Sequence, residues 1–247
     1  MALYADDTVL YYFSASPTDL EEKLNSELRA VCNWLQENKL TLNIVKTKAM
    51  IIGSHWKLSN IGSVKIQVNG SCVENVESFS YLGVTISSNL TWSDHVDNLC
   101  SKINKRLGLL RRIKHLLPHW ARLLFFNSLV LPLFDYGDLV WGDKDNSVLM
   151  ENLQILHNKA AKLILDRSPH SSATDALNIL GWRKLALRRF YHRCLHIFKC
   201  VNGFCSSNIN FKTFHETHIY NTRNKCNFRV PLIRRNWGGH RLEFQAV

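Results

Sequence analysis

Long apolar runs are missing from this chain. None of its 247 residues fall in an uninterrupted apolar stretch approaching the roughly 18 positions that a membrane-spanning helix needs. No basic segment followed by an apolar stretch and a cleavage site marks the N-terminus, so it does not read as a secretory leader. The sequence also contains no Gly-rich phosphate loop, no dinucleotide fingerprint and no Ser-His-Asp arrangement, which sets aside several common nucleotide-binding and hydrolytic classes. Internal repeats and low-complexity segments are absent. Cys-x-x-Cys pairs are absent too, and the seven cysteines are scattered and odd in number. That pattern suits reduced thiols in an intracellular protein, nuclear or cytoplasmic, with no membrane partner.

What is present is globular: 46% hydrophobic and 21% charged residues, enough chain for one large or two small domains. Net charge is +11 and unevenly spread. Residues 1–99 carry −4, residues 100–200 carry +10 and residues 201–247 carry +5. An acidic start followed by a basic body fits a metal site upstream of a surface that grips a polyanion.

The acidic start is organised around Ala2-Leu3-Tyr4-Ala5-Asp6-Asp7-Thr8-Val9-Leu10. Two carboxylates between β-prone apolar runs read as a hairpin with both acids at its tip, a place for hard divalent cations. An Asp-rich turn stabilised by local hydrogen bonds is the alternative. Ser16-Pro17 then reads as a helix start with Ser16 as N-cap, and Asp19, Glu21 and Glu22 complement the helix dipole in the first turn. Leu20, Leu24, Leu28, Val31 and Leu35 recur at helical spacing to about Gln36, with Trp34 widening the buried face. Ala49 to Gly53 reads as a short buried strand. Val64 to Val68 alternates, Asn69-Gly70 is a hairpin signal, and Phe79 to Ile86 reads as a strand interrupted at Gly83.

From Ser93 the pattern becomes helical. Val96, Leu99, Ile103, Leu107 and Leu110 form one stripe, with Lys102, Lys105, Arg106 and Arg112 on the other side. Trp120 to Phe134 is apolar nearly all round and reads as a buried helix kinked at Pro132. Leu149 to Leu163 and Ser172 to Leu180 read as further helices, the second stopped by Gly181. Trp182 to Val201 is the most basic helix, and the final 44 residues lack clear periodicity.

Taken in order, Tyr4-Ala5-Asp6-Asp7, Trp34, Leu40-Thr41-Leu42-Asn43 with Lys46-Thr47, and Tyr81-Leu82-Gly83-Val84 resemble the C-terminal half of reverse transcriptases from LINE-type (non-LTR), jockey-like retrotransposons. Trp92 with His95, Leu131-Pro132 with Tyr136-Gly137, Trp141-Gly142 and Gly181-Trp182 extend the resemblance to about residue 190. Thr222-Arg223-Asn224 looks like the C-terminal tail of these elements. The resemblance implies an α+β fold: polymerase palm β-hairpins followed by a mainly helical thumb and tail. Residues 1–53 correspond to a partial palm, 54–92 to a β-hairpin and primer-grip region in which Tyr81 to Val84 match the primer-grip hairpin, 93–180 to the thumb and 181–247 to a basic helix and tail.

Carried over residue by residue, Asp6 and Asp7 are catalytic and bind Mg²⁺ in two-metal nucleotidyl transfer. Tyr4, Asn43 and Lys46 lie near the incoming nucleotide, Lys46 and Lys48 being solvated lysines on the alternative reading. Tyr81, Leu82, Gly83 and Val84 form the primer grip, and Lys102, Lys105, Arg106 and Arg112 contact the backbone of an RNA or DNA primer–template. The family's palm also needs a third aspartate on an upstream strand, and fingers that hold template and nucleotide. Only Met1-Ala2-Leu3 precede Tyr4, so the expectation is a truncated RNA-directed DNA polymerase, inactive alone. The alternatives are a non-catalytic nucleic-acid-binding module and a decayed element product with unpaired β-edges. Cys194, His196, Cys200, Cys205, His215, His218 and Cys226 invite a zinc reading. The regular helix around the first three and the lack of paired ligands favour core or free thiols instead.

Overall fold

Leu20, Leu24 and Leu28 recur at helical spacing because they must share one face, and residues Pro17–Glu37 do form a helix, α1. The computed structural model describes residues 1–62, 64–142, 147–205 and 213–217, with Arg223, Lys225 and Asn227. The chain divides into two units, Met1–His95 and Val96–Val247. Helices and small two-stranded sheets make it α+β. His218, Cys226, Thr222 and Asn224 lie outside the described residues.

In the first unit, β1 (Ala2–Tyr4) and β2 (Asp7–Val9) pair antiparallel with Tyr4 opposite Asp7. Helix α1 then buries Leu28 and Cys32 against Val64, Ile66, Val68 and Val73, with Leu24, Leu42 and Ile51 at the margin. Its polar residues complete the contact. Asn25 donates from Nδ2 to the Lys65 carbonyl at 3.0 Å and accepts the Gln67 N–H at 2.8 Å, while Glu21 accepts the Lys65 N–H at 3.0 Å. Helix side chains thus satisfy backbone groups along this edge, which would otherwise be open to pairing. Glu21 thus also serves as partner to the backbone just before Gln67, beyond complementing the helix dipole. Ser16 precedes Pro17 as expected, but its hydroxyl bonds Thr18 and not the helix backbone. Trp34 is 57% exposed, because Cys32 and not Trp34 completes the buried face.

The strand expected at residues 49–53 is short: β3 (Lys48–Ala49), after which helix α2 (His55–Asn60) follows. Strands β4 (Gln67–Val68) and β5 (Ser71–Cys72) pair about Asn69 and Gly70, both at positive φ as a tight hairpin turn requires. Strand β6 (Glu74–Asn75) runs parallel to β3, with Lys48 and Glu74 ion-paired across the two. Phe79 to Ile86 is two strands and not one. β7 (Ser78–Tyr81) and β8 (Val84–Ser87) are antiparallel, and Leu82 and Gly83 turn between them at φ 47° and 78°.

The second unit begins within helix α3 (Ser93–Ile113), whose stripe Val96, Leu99, Ile103, Leu107 and Leu110 is buried as the spacing requires. After α4 (His119–Phe125) the chain widens to a π-helical turn over Phe126–Val130 before α5 (Leu131–Asp135). Pro132 has no N–H and its ring crowds the carbonyl four residues back, so the wider turn takes the place of a kink. This segment is not buried all round: Phe126, Val130 and Phe134 face inward, but Trp120 is 67% exposed. The segment has more apolar residues than one packed face can cover.

Helix α6 (Asp138–Trp141) follows Gly137, and α7 (Ser147–Ile164) follows in turn. Helix α8 (Ala173–Ile179) starts where Ser172 Oγ accepts the Asp175 N–H and ends before Gly181 at φ 66°. Helix α9 (Leu185–Val201) begins with its Leu185 N–H bonded to Gln154 Oε1 of α7 at 2.8 Å. A short turn, α10 (Phe214–Thr217), completes the described elements.

Candidate functional site

The carboxylates of interest lie at the β1–β2 turn. Ala5 takes φ 51° there, an uncommon conformation for a residue with a Cβ, Asp6 follows it and Asp7 opens β2. Tyr4, Asp6 and Asp7 are exposed, as is every residue from Met1 to Thr8. A Mg²⁺ ion that keeps several waters needs only one or two carboxylates, and this pair meets that demand. Two ions about 3.5–4 Å apart need more. Among the described residues, neither Asp6 nor Asp7 belongs to a group of three potential ligands within 4.8 Å of one another. The residues present therefore do not fit a two-ion centre, and no chemical step is derived through one.

Asn43 and Lys46 belong to one local turn. Asn43 Oδ1 accepts the Lys46 N–H at 3.1 Å, and the Asn43 carbonyl accepts both the Thr47 N–H at 3.0 Å and the Thr47 hydroxyl at 2.9 Å. Asn43 is thus engaged in holding its own loop, as short polar side chains do, while the Lys46 side chain is exposed. Tyr81 and Val84 face each other across the β7–β8 hairpin, with Leu82 and Gly83 at its tip. The hairpin is steadied by buried His95, whose Nδ1 accepts the Thr85 N–H at 3.2 Å.

The basic residues of α3 divide. Lys102, Lys105 and Arg112 are exposed and lie within one arc opposite the buried stripe. Arg106 is turned toward the protein and donates to the Leu129 carbonyl of the π-helical turn. Beside the exposed arc, a cleft of about 190 Å³ is lined by Asn104, Gly108 and Arg111 of α3 and by Lys159 and Leu163 of α7. Arg111 lies outside the basic set that the helical spacing marks on α3. Its position next to Arg112 at the end of a basic run was the available signal.

Helix α9 corrects the charge argument. Of its cations, Arg188 is bidentate to Asp135, at 2.7 and 2.6 Å. Buried Arg193 donates to the Gly142 carbonyl at 3.1 Å. Buried Arg189 lies 5.3 Å over the Trp141 ring and bonds Met150 Sδ, and burial lowers its pKa to about 10. Three of the helix's arginines therefore hold the unit together and are not presented to a polyanion. Beside them Asp138 pairs with His192 at 2.6 Å, burial raising its carboxyl above the ordinary value against the opposing His192 hydrogen bond. Gly142 is needed here for space: a Cβ on it would meet the Asp138 carbonyl at 2.3 Å.

The ring of His157 is stacked on Trp182, with centroids 5.0 Å apart, and Trp182 on Phe126 at 4.2 Å. Trp141, Gly142 and Trp182, which carried part of the resemblance, are thus packing residues.

Set beside known proteins, this mixed hairpin-and-helix chain finds polymerases of mobile elements. It is 26% identical over 171 residues to the probable RNA-directed DNA polymerase from transposon BS of Drosophila melanogaster, covering 67% of this chain and 18% of that protein. The RNA-directed DNA polymerase from mobile element jockey of the same fly is 25% identical over 168 residues, 66% of this chain and 18% of its own length. The retrovirus-related Pol polyprotein from type-1 retrotransposable element R1 of Nasonia vitripennis is 23% identical over 203 residues, 78% of this chain and 59% of its own length. The chain is similar, over about two thirds of its length, to the RNA-directed DNA polymerases of LINE-type (non-LTR), jockey-like retrotransposons. It spans under a fifth of the length of the two Drosophila relatives. No family model matches, and no solved structure matches. Among the described residues no helix is long and apolar enough to cross a membrane.

Proposed function

We propose that these residues are the catalytic-hairpin, primer-grip and thumb portion of a retrotransposon RNA-directed DNA polymerase. On this reading their own contribution is to hold an RNA or DNA primer–template by its backbone. The observation that carries the reading is the similarity to the BS and jockey polymerases over some two thirds of the chain. Lys102, Lys105 and Arg112, exposed together on α3, are the backbone-gripping residues, with Arg111 and Lys159 beside them. Tyr81, Leu82, Gly83 and Val84 form the primer grip. The positive φ of Gly83, with no Cβ, suits a close approach of the turn to a strand end. Asp6 and Asp7 supply two carboxylates of the parent metal site, with Tyr4, Asn43 and Lys46 on the nucleotide side.

Positioning supplies most of phosphoryl-transfer catalysis, and two exposed carboxylates do not position two metal ions. The 247 residues by themselves are therefore expected to yield no templated product in a primer-extension assay with Mg²⁺ or Mn²⁺. Templated synthesis that disappears in Asp6→Ala would overturn this. A non-catalytic nucleic-acid-binding role is the second reading, favoured by the absence, among the described residues, of a third ligand beside Asp6 and Asp7 and by the exposed arc of α3.

A further inference from the structure

The end of helix α9 brings together three metal-ligating side chains that the polymerase reading does not use. Gly203 follows the helix at φ 71°. Its N–H donates to the Cys200 carbonyl at 3.2 Å, and the Phe204 N–H reaches the Lys199 carbonyl at 2.8 Å. These are the two bonds of a Schellman cap, and the Phe198–Phe204 contact, with centroids 6.3 Å apart, is the apolar contact that accompanies one. The reversal carries Cys205 back over the last helical turn. On that turn His196 and Cys200, four residues apart, share a face.

Cys200 Sγ lies 3.5 Å from His196 Nε2 and 3.3 Å from Cys205 Sγ. All three donor atoms fall within 4.8 Å of one another on half-buried residues. Tetrahedral Zn²⁺, with bonds of about 2.3 Å to sulfur and about 2.05 Å to nitrogen, sets S···N near 3.6 Å and S···S near 3.8 Å. The first spacing is already met, and the second needs the thiols to part by about half an ångström. A second convergent group among the described residues, Asp135, Asp138 and His192, is committed to Arg188 and to its own internal pair.

We propose that His196, Cys200 and Cys205 form a Zn²⁺ site, completed by water, that pins the chain leaving α9 to the last turn of the helix. On the sequence alone, the regular helix around His196 and Cys200 and the lack of paired ligands favour free or core thiols. That spacing is what places two ligands on one face, and Gly203 supplies the third. Cys194 and His215, both exposed, stand outside the cluster. Cys200 holds the Cys205 thiol above its ordinary pKa through their mutual hydrogen bond. On metal binding both thiols ionise, two protons pass to solvent, and neutral His196 gives its Nε2 lone pair.

The test titrates the whole reduced, chelator-stripped chain first with Co²⁺ and then with Zn²⁺. The expected result is one ion per chain, tetrahedral cobalt bands with thiolate charge transfer, and displacement of cobalt by zinc. Losing a second-shell partner costs about 10–100-fold in metal affinity, so Cys200→Ser and Cys205→Ser should each cost more than about 100-fold. Cys194→Ser should leave affinity unchanged. Absence of a thiolate–cobalt band in the unmodified chain overturns the proposal, whatever the folding of the variants. Zinc held as tightly by Cys200→Ser or Cys205→Ser is adventitious and overturns it equally.

Discussion

His157 sits among three aromatic rings, Trp182, Phe126 and Phe134, and is only 3% exposed. Its Nδ1 has no hydrogen-bond partner, and burial, helped by the nearby Arg188, lowers its pKa from 6.5 to about 4. The folded protein thus prefers the neutral ring, whereas the unfolded chain protonates it near pH 6.5. The stability this preference contributes is complete above about pH 6.5 and is lost as pH falls toward 4, at most about 3 kcal/mol. Urea unfolding between pH 7 and pH 4.5 measures it. His157→Leu should lose less stability than the parent over that range, and an equal loss in both would refute the assignment. The residue was legible as one of many histidines, but its enclosure was not. No local pattern announces that rings from three separate helices and a loop will meet.

At the scale of elements, α3 shows where sequence is a good guide. Five apolar residues recur with helical period, and all five are buried. Ile103→Ala on that stripe should cost about 2–5 kcal/mol in chemical denaturation, because it opens a cavity in a packed interior. Lys105→Ala on the far side should stay within about 0.5 kcal/mol. Reversed magnitudes would mean the helix is turned the other way. Helix α9 shows where the guide fails. Its arginines look like a solvated basic face, but Arg188 finds Asp135, Arg189 finds Trp141 and Arg193 finds the Gly142 carbonyl. These partners lie some 50 positions away in sequence, beyond the reach of any periodicity. Leu82-Gly83 escapes local pattern for a different reason: Asn-Gly announces a turn at residues 69–70, but Leu-Gly does not, although both pairs adopt positive φ, and the hairpin at Tyr81 to Val84 was legible only through the resemblance. The Cys200–Cys205 approach follows from one glycine after a helix, which is a readable signal once Asn202-Gly203 is recognised as a helix stop.

For the whole molecule, the resemblance was legible because several short motifs stand in one order, and the similarity to the BS, jockey and R1 proteins agrees with it. Three of those motif residues serve packing: Trp141 is fully buried, Gly142 has no room for a Cβ and Trp182 is stacked on Phe126. These three therefore carry their share of the resemblance through packing and say little about catalysis. On the proposed reading, backbone gripping rests instead on few residues, since part of the positive charge is spent internally. That makes a quantitative test available. Binding of the 247-residue chain to a primer–template duplex, followed by fluorescence anisotropy across a salt series, tests the central claim most directly. The account predicts sequence-independent binding whose log–log salt slope becomes less negative by about 1 for each of Lys102→Ala, Lys105→Ala and Arg112→Ala. No binding at low salt, or a slope that these substitutions leave unchanged, would contradict it.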